Sequence, residues 1–164
     1  GSINRDQLLS RIWISKKLSE FASPKTVAIL GSWYGILPYV LHKFNNIDDI
    51  YAIDNKPKYI KISKKLNPTV KHICTDCNDI DYSDIDCIIN PSINNIEGTD
   101  WYNNIPSNKL CVFQTENIEV SNDCPYDLIS MKKKYPLSKY LYSKSVKCID
   151  TDGHYTRSMV IGYK

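Results

Sequence analysis

Short, uninterrupted apolar runs alternate along this chain with longer stretches in which apolar residues recur every three or four positions. Val27 to Leu30 is the first run, and its lack of any polar residue suits a strand covered on both faces. Ile36, Leu37, Val40, Leu41 and Phe44 follow at helical spacing. Ile50 to Ile53 is the second run and ends on Asp54. Pro57 to Leu66 predicts a helix with Ile60, Ile62 and Leu66 on its apolar side, broken by Asn67-Pro68. Val70 to Cys74, Asp86 to Ile89 and Leu110 to Phe113 predict strands three, four and five. At the start, Asn4 to Phe21 sets Leu8, Leu9, Ile12, Trp13, Leu18 and Phe21 at helical spacing and is stopped by Ser23-Pro24. Such an amphipathic helix covers one edge or face of a sheet, or closes over a ligand.

Beyond strand five the pattern changes. Gly98-Thr-Asp-Trp-Tyr opens a short helix with Thr99 or Asp100 as its cap. Tyr126 to Lys134 is helical and stops at Pro136. Lys139 to Ile149 and Tyr155 to Tyr163 are strand-rich and joined by Asp150-Thr-Asp-Gly-His, which signals a hairpin. The predicted fold is therefore α/β. It has an open, mostly parallel sheet, helices on both faces and a C-terminal antiparallel β-hairpin. A length of 164 residues makes one domain the expectation.

The candidate chemistry lies at the strand ends. Gly31 closes the first strand and Gly35 sits one helical turn on, with Ser32, Trp33 and Tyr34 between. Glycines there let the backbone approach a ligand closely, and the free N–H groups of the following helix favour a carboxylate or phosphate. Asp54, about 20 residues on, is placed to take both hydroxyls of a ribose. The next strands end at Thr75-Asp76-Cys77 and Asn90-Pro91. An Asp at the third tip accepts from an exocyclic amine. Taken singly, Asp76 and Asn90 are ordinary turn formers. Taken with Gly31 and Asp54, they point to a nucleoside-bearing ligand beyond the carboxyl ends of a parallel sheet. Gln114, Glu116 and Asn117 follow the predicted fifth strand and are candidates for the same pocket.

Composition narrows this only a little. Hydrophobic content of 42% with 24% charged residues is that of a soluble domain, and no apolar run is long enough to span a bilayer. No signal peptide is visible, and Gly1-Ser2 reads as an expression remnant. Six cysteines without a secretory signal suggest reduced thiols in a cytoplasm. Cys74-Thr-Asp-Cys77 lacks a second ligand pair, so no metal is expected. His42, His72 and His154 form no catalytic spacing. A net charge of +3, the lysines around the 57–66 helix, Lys132-Lys133-Lys134 and 12 tyrosines permit nucleic acid without demanding it. Oligomeric state is not legible.

The residues from Lys25 on resemble a class I S-adenosylmethionine-dependent methyltransferase. The resemblance is carried by Val27-Ala-Ile-Leu-Gly31-Ser-Trp-Tyr-Gly35, Asp54, Thr75-Asp76-Cys77, Asp86-Cys-Ile-Ile-Asn90-Pro91 and the terminal hairpin. It is nearest to small phage-encoded methyltransferase-like proteins that carry a Gly-Ser-Trp-Tyr-Gly turn and end near Arg-x-Met-x-Ile-Gly, and a phage-encoded protein of this kind would work in the host cytoplasm. The resemblance implies a Rossmann-like fold: an N-terminal helix at 3–22, a cofactor-binding part at 26–117 and a C-terminal part with the hairpin at 126–164. It implies S-adenosyl-L-methionine as cofactor. Gly31, Ser32, Trp33 and Gly35 would pass under its methionine part. Asp54 would hold the ribose, and Asp76 would face the adenine amine with the Cys77 amide nearby. Asn90 and Pro91 would stand beside the transferred methyl group. Trp33 occupies a position where the family usually has glycine, and there the indole either narrows the channel or stacks over the ligand. Asn90-Pro91-Ser92-Ile93 partly resembles the Asn-Pro-Pro-aromatic signature of amine-directed members. It lacks the second proline and the aromatic, for which Tyr34, Trp101 and Tyr102 are candidate substitutes. The methyl acceptor stays open. A non-catalytic adenosylmethionine- or nucleotide-binding module and an NAD-dependent oxidoreductase are the competing readings.

Overall fold

The computed structural model describes residues 4–118 and 123–164; Gly1-Ser2 and the expected helix start at position 3 lie outside the described residues. The first helix, α1, is Arg5–Phe21. Asn4 caps it by accepting the Gln7 N–H at 2.8 Å, while the Gln7 side chain accepts the Asn4 N–H at 3.2 Å. Then β1 (Thr26–Leu30), α2 (Ile36–Phe44), β2 (Asp49–Asp54), α3 (Pro57–Leu66), β3 (Lys71–Cys74) and β4 (Cys87–Asn90) alternate as the apolar runs predict. Pro57 opens α3, where its missing N–H costs nothing. A short α4 (Asp100–Asn103), β5 (Leu110–Glu116), α5 (Leu128–Lys134), β6 (Lys139–Asp150) and β7 (Gly153–Tyr163) complete the chain.

All seven strands form one sheet in the order β3-β2-β1-β4-β5-β7-β6. Strands β1 to β5 pair in parallel, and β7 is antiparallel to both β5 and β6. The order reverses between β1 and β4, the place where open parallel sheets leave a crevice beyond their strand ends. Because β7 runs backwards, its first half lies at that same end, with Arg157 opposite Glu116.

Strand alternation divides the core into two layers. Val27 and Ile29 of β1, Cys87 and Ile89 of β4, and Met159 and Ile161 of β7 face Ile14 and Leu18 of α1 and Leu37 and Leu41 of α2. Ala28, Leu30, Ile88, Phe113 and Val160 face Tyr82, Trp101, Met131 and Tyr135 on the other side. Three elements differ from the expectation by more than one residue. Strand β7 begins at Gly153 rather than Tyr155, because its ladder with β6 runs on to the Asp150–Gly153 pair. Strand β5 continues past Phe113 to Glu116, because β7 lies alongside and pairs Gln114, Thr115 and Glu116 with Met159, Ser158 and Arg157. Helix α5 begins at Leu128, because the Asp127 side chain caps it by accepting the Ser130 N–H. Among the described residues no helix is long and apolar enough to cross a membrane.

Candidate ligand-binding site

A cavity of about 650 Å³ opens beyond the carboxyl ends of the parallel strands. That volume suits a ligand larger than a single sugar or amino acid. Gly31, Trp33, Asp54, Asp76, Cys77 and Pro91 all line it. Ser32, Gly35 and Asn90 do not.

The β1–α2 turn is held from two sides. Gly31 has φ +65, and Trp33 lies in the same left-handed region at φ 54, which is costly for a residue with a side chain. The Trp33 N–H donates to Asp54 Oδ2 at 3.0 Å, which secures that conformation. The other oxygen of Asp54 accepts the Lys56 N–H, also at 3.0 Å. A carboxylate offers about four lone-pair positions, so two remain for a ligand. Gly35, at φ +87, has a different task. A Cβ there would collide with Ser63 Oγ and Asn67 Nδ2, and Asn67 Nδ2 donates to the Gly35 carbonyl at 2.8 Å. Gly35 thus seats α2 against α3. His72 extends this packing, with Nε2 2.8 Å from Ser63 Oγ and Nδ1 3.0 Å from the Val70 carbonyl.

At the β3 tip, Asp76 Oδ1 accepts the Asn78 N–H at 2.8 Å and Asn78 Nδ2 at 2.9 Å, while Oδ2 takes no partner among the described residues. Burial, with the charges of Asp54 and Asp76 adding to it, pushes the Cys77 thiol up to about 11, so it is a protonated wall and not a nucleophile. Cys74 of the same C-x-x-C is exposed. Trp33 and Tyr59 meet edge to face at 6.1 Å, with Lys56 over the Tyr59 ring, and all three line the cavity. The indole stands in the wall and leaves the crevice open. Tyr34, Trp101 and Tyr102 lie outside the lining, and Trp101 is packed in the core against Phe113 and Tyr135.

At the β4 tip Pro91 and Ser92 form the wall, and Asn90 is wholly buried. Asn90 Oδ1 accepts the Ser92 N–H at 3.2 Å, and its Nδ2 has no partner among the described residues. Ser32 Oγ, Asn94 Oδ1 and Gln114 Nε2 are likewise buried without partners. Such atoms are rare in folded proteins, and two of them, on Asn94 and Gln114, belong to residues of the cavity wall, as a site for a polar ligand requires.

The far end of the cavity was only partly foreseeable. Gln114 and Glu116 line it as expected, together with Thr115, whereas Asn117 continues the β5–β7 ladder by accepting the Thr156 N–H. The residues missed at this end by sequence reasoning are Gln7, Arg11 and Arg157, as Asn55, Lys56, Tyr59 and Asn94 to Glu97 were elsewhere in the wall. Gln7 and Arg11 are four apart on α1 and so share a face. Arg157 is a lone charge among the apolar residues of β7, and that was the available signal. Its Nη2 pairs with Glu116 at 2.9 Å and Asp6 at 3.6 Å. Arg11 is held down to about 10, chiefly by burial and then by Arg157, with Glu116 acting the other way; it remains charged at neutral pH.

No protein-family model matches the sequence, and no curated protein matches it either. The fold does have solved counterparts. The Thermoplasma acidophilum protein 1320 aligns with a TM-score of 0.71 and 9% identity, over 94% of this chain and 85% of its own. The N-methyltransferase NodS of Bradyrhizobium japonicum, solved with S-adenosyl-L-homocysteine, aligns with a TM-score of 0.67 and 11% identity, over 97% of this chain and 88% of its own. TYW2 of M. jannaschii, solved with AdoMet, aligns with a TM-score of 0.65 and 15% identity, over 100% of this chain and 78% of its own. At these identities the likeness is one of fold: the chain has the Rossmann-like architecture that methyltransferases such as NodS use.

Proposed function

We propose that the chain is an S-adenosylmethionine-dependent methyltransferase, with the cofactor lying across the tips of β3, β2 and β1. The observation that carries this is the meeting of Gly31, Asp54 and Asp76 in one cavity at the point where the strand order reverses. Asp76 Oδ2 would receive the adenine amine, the spare lone pairs of Asp54 the ribose hydroxyls, and the Gly31 turn the methionine part. When bound, the cofactor would supply an electrophilic methyl group to the acceptor's lone pair and be left as S-adenosylhomocysteine, with the acceptor's proton released to solvent on product departure. The protein's share of that reaction is alignment and exclusion of water. Pro91, Trp33 and Tyr59 supply apolar wall, and Asn90, wholly buried behind it, holds the Pro91–Ser92 turn in place by accepting the Ser92 N–H.

Calorimetry with S-adenosylmethionine, S-adenosylhomocysteine and NAD tests the reading. The expected result is binding of the first two alone, weakened about tenfold or more in Asp54→Asn, in keeping with ~1.5–3 kcal/mol for hydrogen bonds to a charged group. Binding of NAD instead would overturn it. Binding without methyl transfer to amine acceptors would favour a non-catalytic module, to which the strained Trp33 turn lends some weight.

A further inference from the structure

Arg11 and Gln114 stand together without a stated task. Gln114 is 1% exposed, and its Oε1 accepts the Ser10 hydroxyl at 2.6 Å. That bond fixes the side-chain amide so that Nε2, a donor with no partner among the described residues, is the group left over in the cavity wall. Arg11 Nη1 donates to the same Ser10 Oγ at 3.0 Å. One serine therefore pins both donors side by side. Arg157 beside them is occupied by Glu116 and Asp6, whereas Arg11 meets no carboxylate within ion-pair distance among the described residues. A buried amide donor without a partner is destabilising, and an arginine beside it invites a charged acceptor to satisfy both.

The position of this pair says which ligand the acceptor would belong to. Asp54 and Asp76 lie on the β2 and β3 side of β1, while Gln114 lies on β5, on the other side of β4. Four strand spacings separate β3 from β5, ~19 Å. Gln114 and the acids assigned to the cofactor thus stand on opposite sides of the β1–β4 crevice, and the donors face the space that a second substrate would take.

We propose that the methyl acceptor is an acidic molecule, one bearing a carboxylate or phosphate, and that Arg11 together with Gln114 Nε2 holds its anionic group at the β5–β7 end of the cavity. This rests on the methyltransferase reading. The guanidinium fork suits two oxygens of one anion, and the amide donor supplies a third contact. The anion then fixes how far the nucleophile sits from Pro91.

The test uses the whole ¹⁵N-labelled protein saturated with S-adenosylhomocysteine, titrated with phenyl phosphate, benzoate and neutral benzamide. The expected result is a shift of the Gln114 side-chain amide and Arg11 Nε signals with either anion and none with benzamide. Affinity for the anions should fall tenfold or more in Arg11→Gln and recover in part in Arg11→Lys. An unchanged affinity in Arg11→Gln, with S-adenosylhomocysteine still bound, would sink the anion site and leave the methyltransferase reading standing. Displacement of S-adenosylhomocysteine by the anions would assign Arg11 to the cofactor's own carboxylate and overturn the acceptor assignment. Failure of S-adenosylhomocysteine to bind, with anions still shifting both signals, would overturn the methyltransferase reading, and the acceptor assignment with it.

Discussion

At the β2–β3 end of the cavity the wall is built from neighbours in sequence: Gly31, Trp33, Asp54, Lys56, Tyr59, Asp76 and Cys77. At the β5–β7 end it is built from strangers: Gln7 and Arg11 from the first helix, Gln114 to Glu116 from β5, and Arg157 from β7. The first end carries acids whose oxygens already hold backbone N–H groups, so its shape is fixed by local turns. The second end carries two arginines and the acids that hold one of them, and side-chain pairs between distant elements hold it together. The contrast teaches that a single pocket can have one end determined by turn geometry and another determined by tertiary packing. Damage to each should look different.

The turn-built end should break hardest at Gly35. Its left-handed φ and the Ser63 and Asn67 side chains in the way of a Cβ make Gly35→Ala both strained and overpacked. Backbone strain of ~1–3 kcal/mol and overpacking of ~1–3 kcal/mol together predict a loss of about 3 kcal/mol or more. Urea unfolding measures it. A loss below about 1 kcal/mol would mean that α3 moves aside freely and that the turn is not the rigid element described above.

The packing-built end should break next, at Arg157. This residue is 6% exposed and ties Asp6 of α1 to Glu116 of β5. Arg157→Met keeps the bulk and removes the charge, leaving two acids without their partner. Breaking a fully buried pair costs ~3–5 kcal/mol. Both acids here keep partial contact with water, so about 2 kcal/mol is expected, again by urea unfolding. A neutral or stabilising result would show that the pair serves the cavity alone and that hydrophobic packing holds α1 in place.

The same contrast explains what the sequence made legible. Strand order apart, each parallel strand and its helix could be read from apolar spacing, because both periods are local. Gly31, Asp54 and Asp76 could be placed at one sheet end because successive parallel strands put their tips there. Gly35 could be read only as a turn glycine. That it seats α3 depends on Ser63 and Asn67, whose side chains turn inward at positions no periodicity marks. The extension of β5 to Glu116 was hidden because the partner that pairs those residues, β7, enters about forty residues later. Gln114 could be placed at the pocket, but its meeting with Arg11 was out of reach for the same reason: it exists only once α1 has packed across the sheet through Ile14 and Leu18.

The smallest expected effect separates the two ends by pH. His72 stands behind the turn-built end, with Nδ1 on the Val70 carbonyl and Nε2 on Ser63 Oγ. Donation from Nδ1 to that carbonyl leaves Nε2 to accept the serine hydroxyl, an arrangement for the neutral ring. Burial, with Lys64 adding to it and the Val70 bond opposing, holds its pKa below the ordinary 6.5. The unfolded chain therefore takes up a proton before the folded one does. Stability is complete above about pH 6.5, falls as pH drops below it, and stops falling once the folded ring is protonated too. Arg11 does not titrate in this range, so it contributes no such slope at the other end. Melting temperatures followed downward from pH 7 should fall less steeply in His72→Gln than in the parent. Equal slopes would show that Ser63 can turn away at no cost, and that the buttress beneath Gly35 is packing rather than a hydrogen-bonded chain.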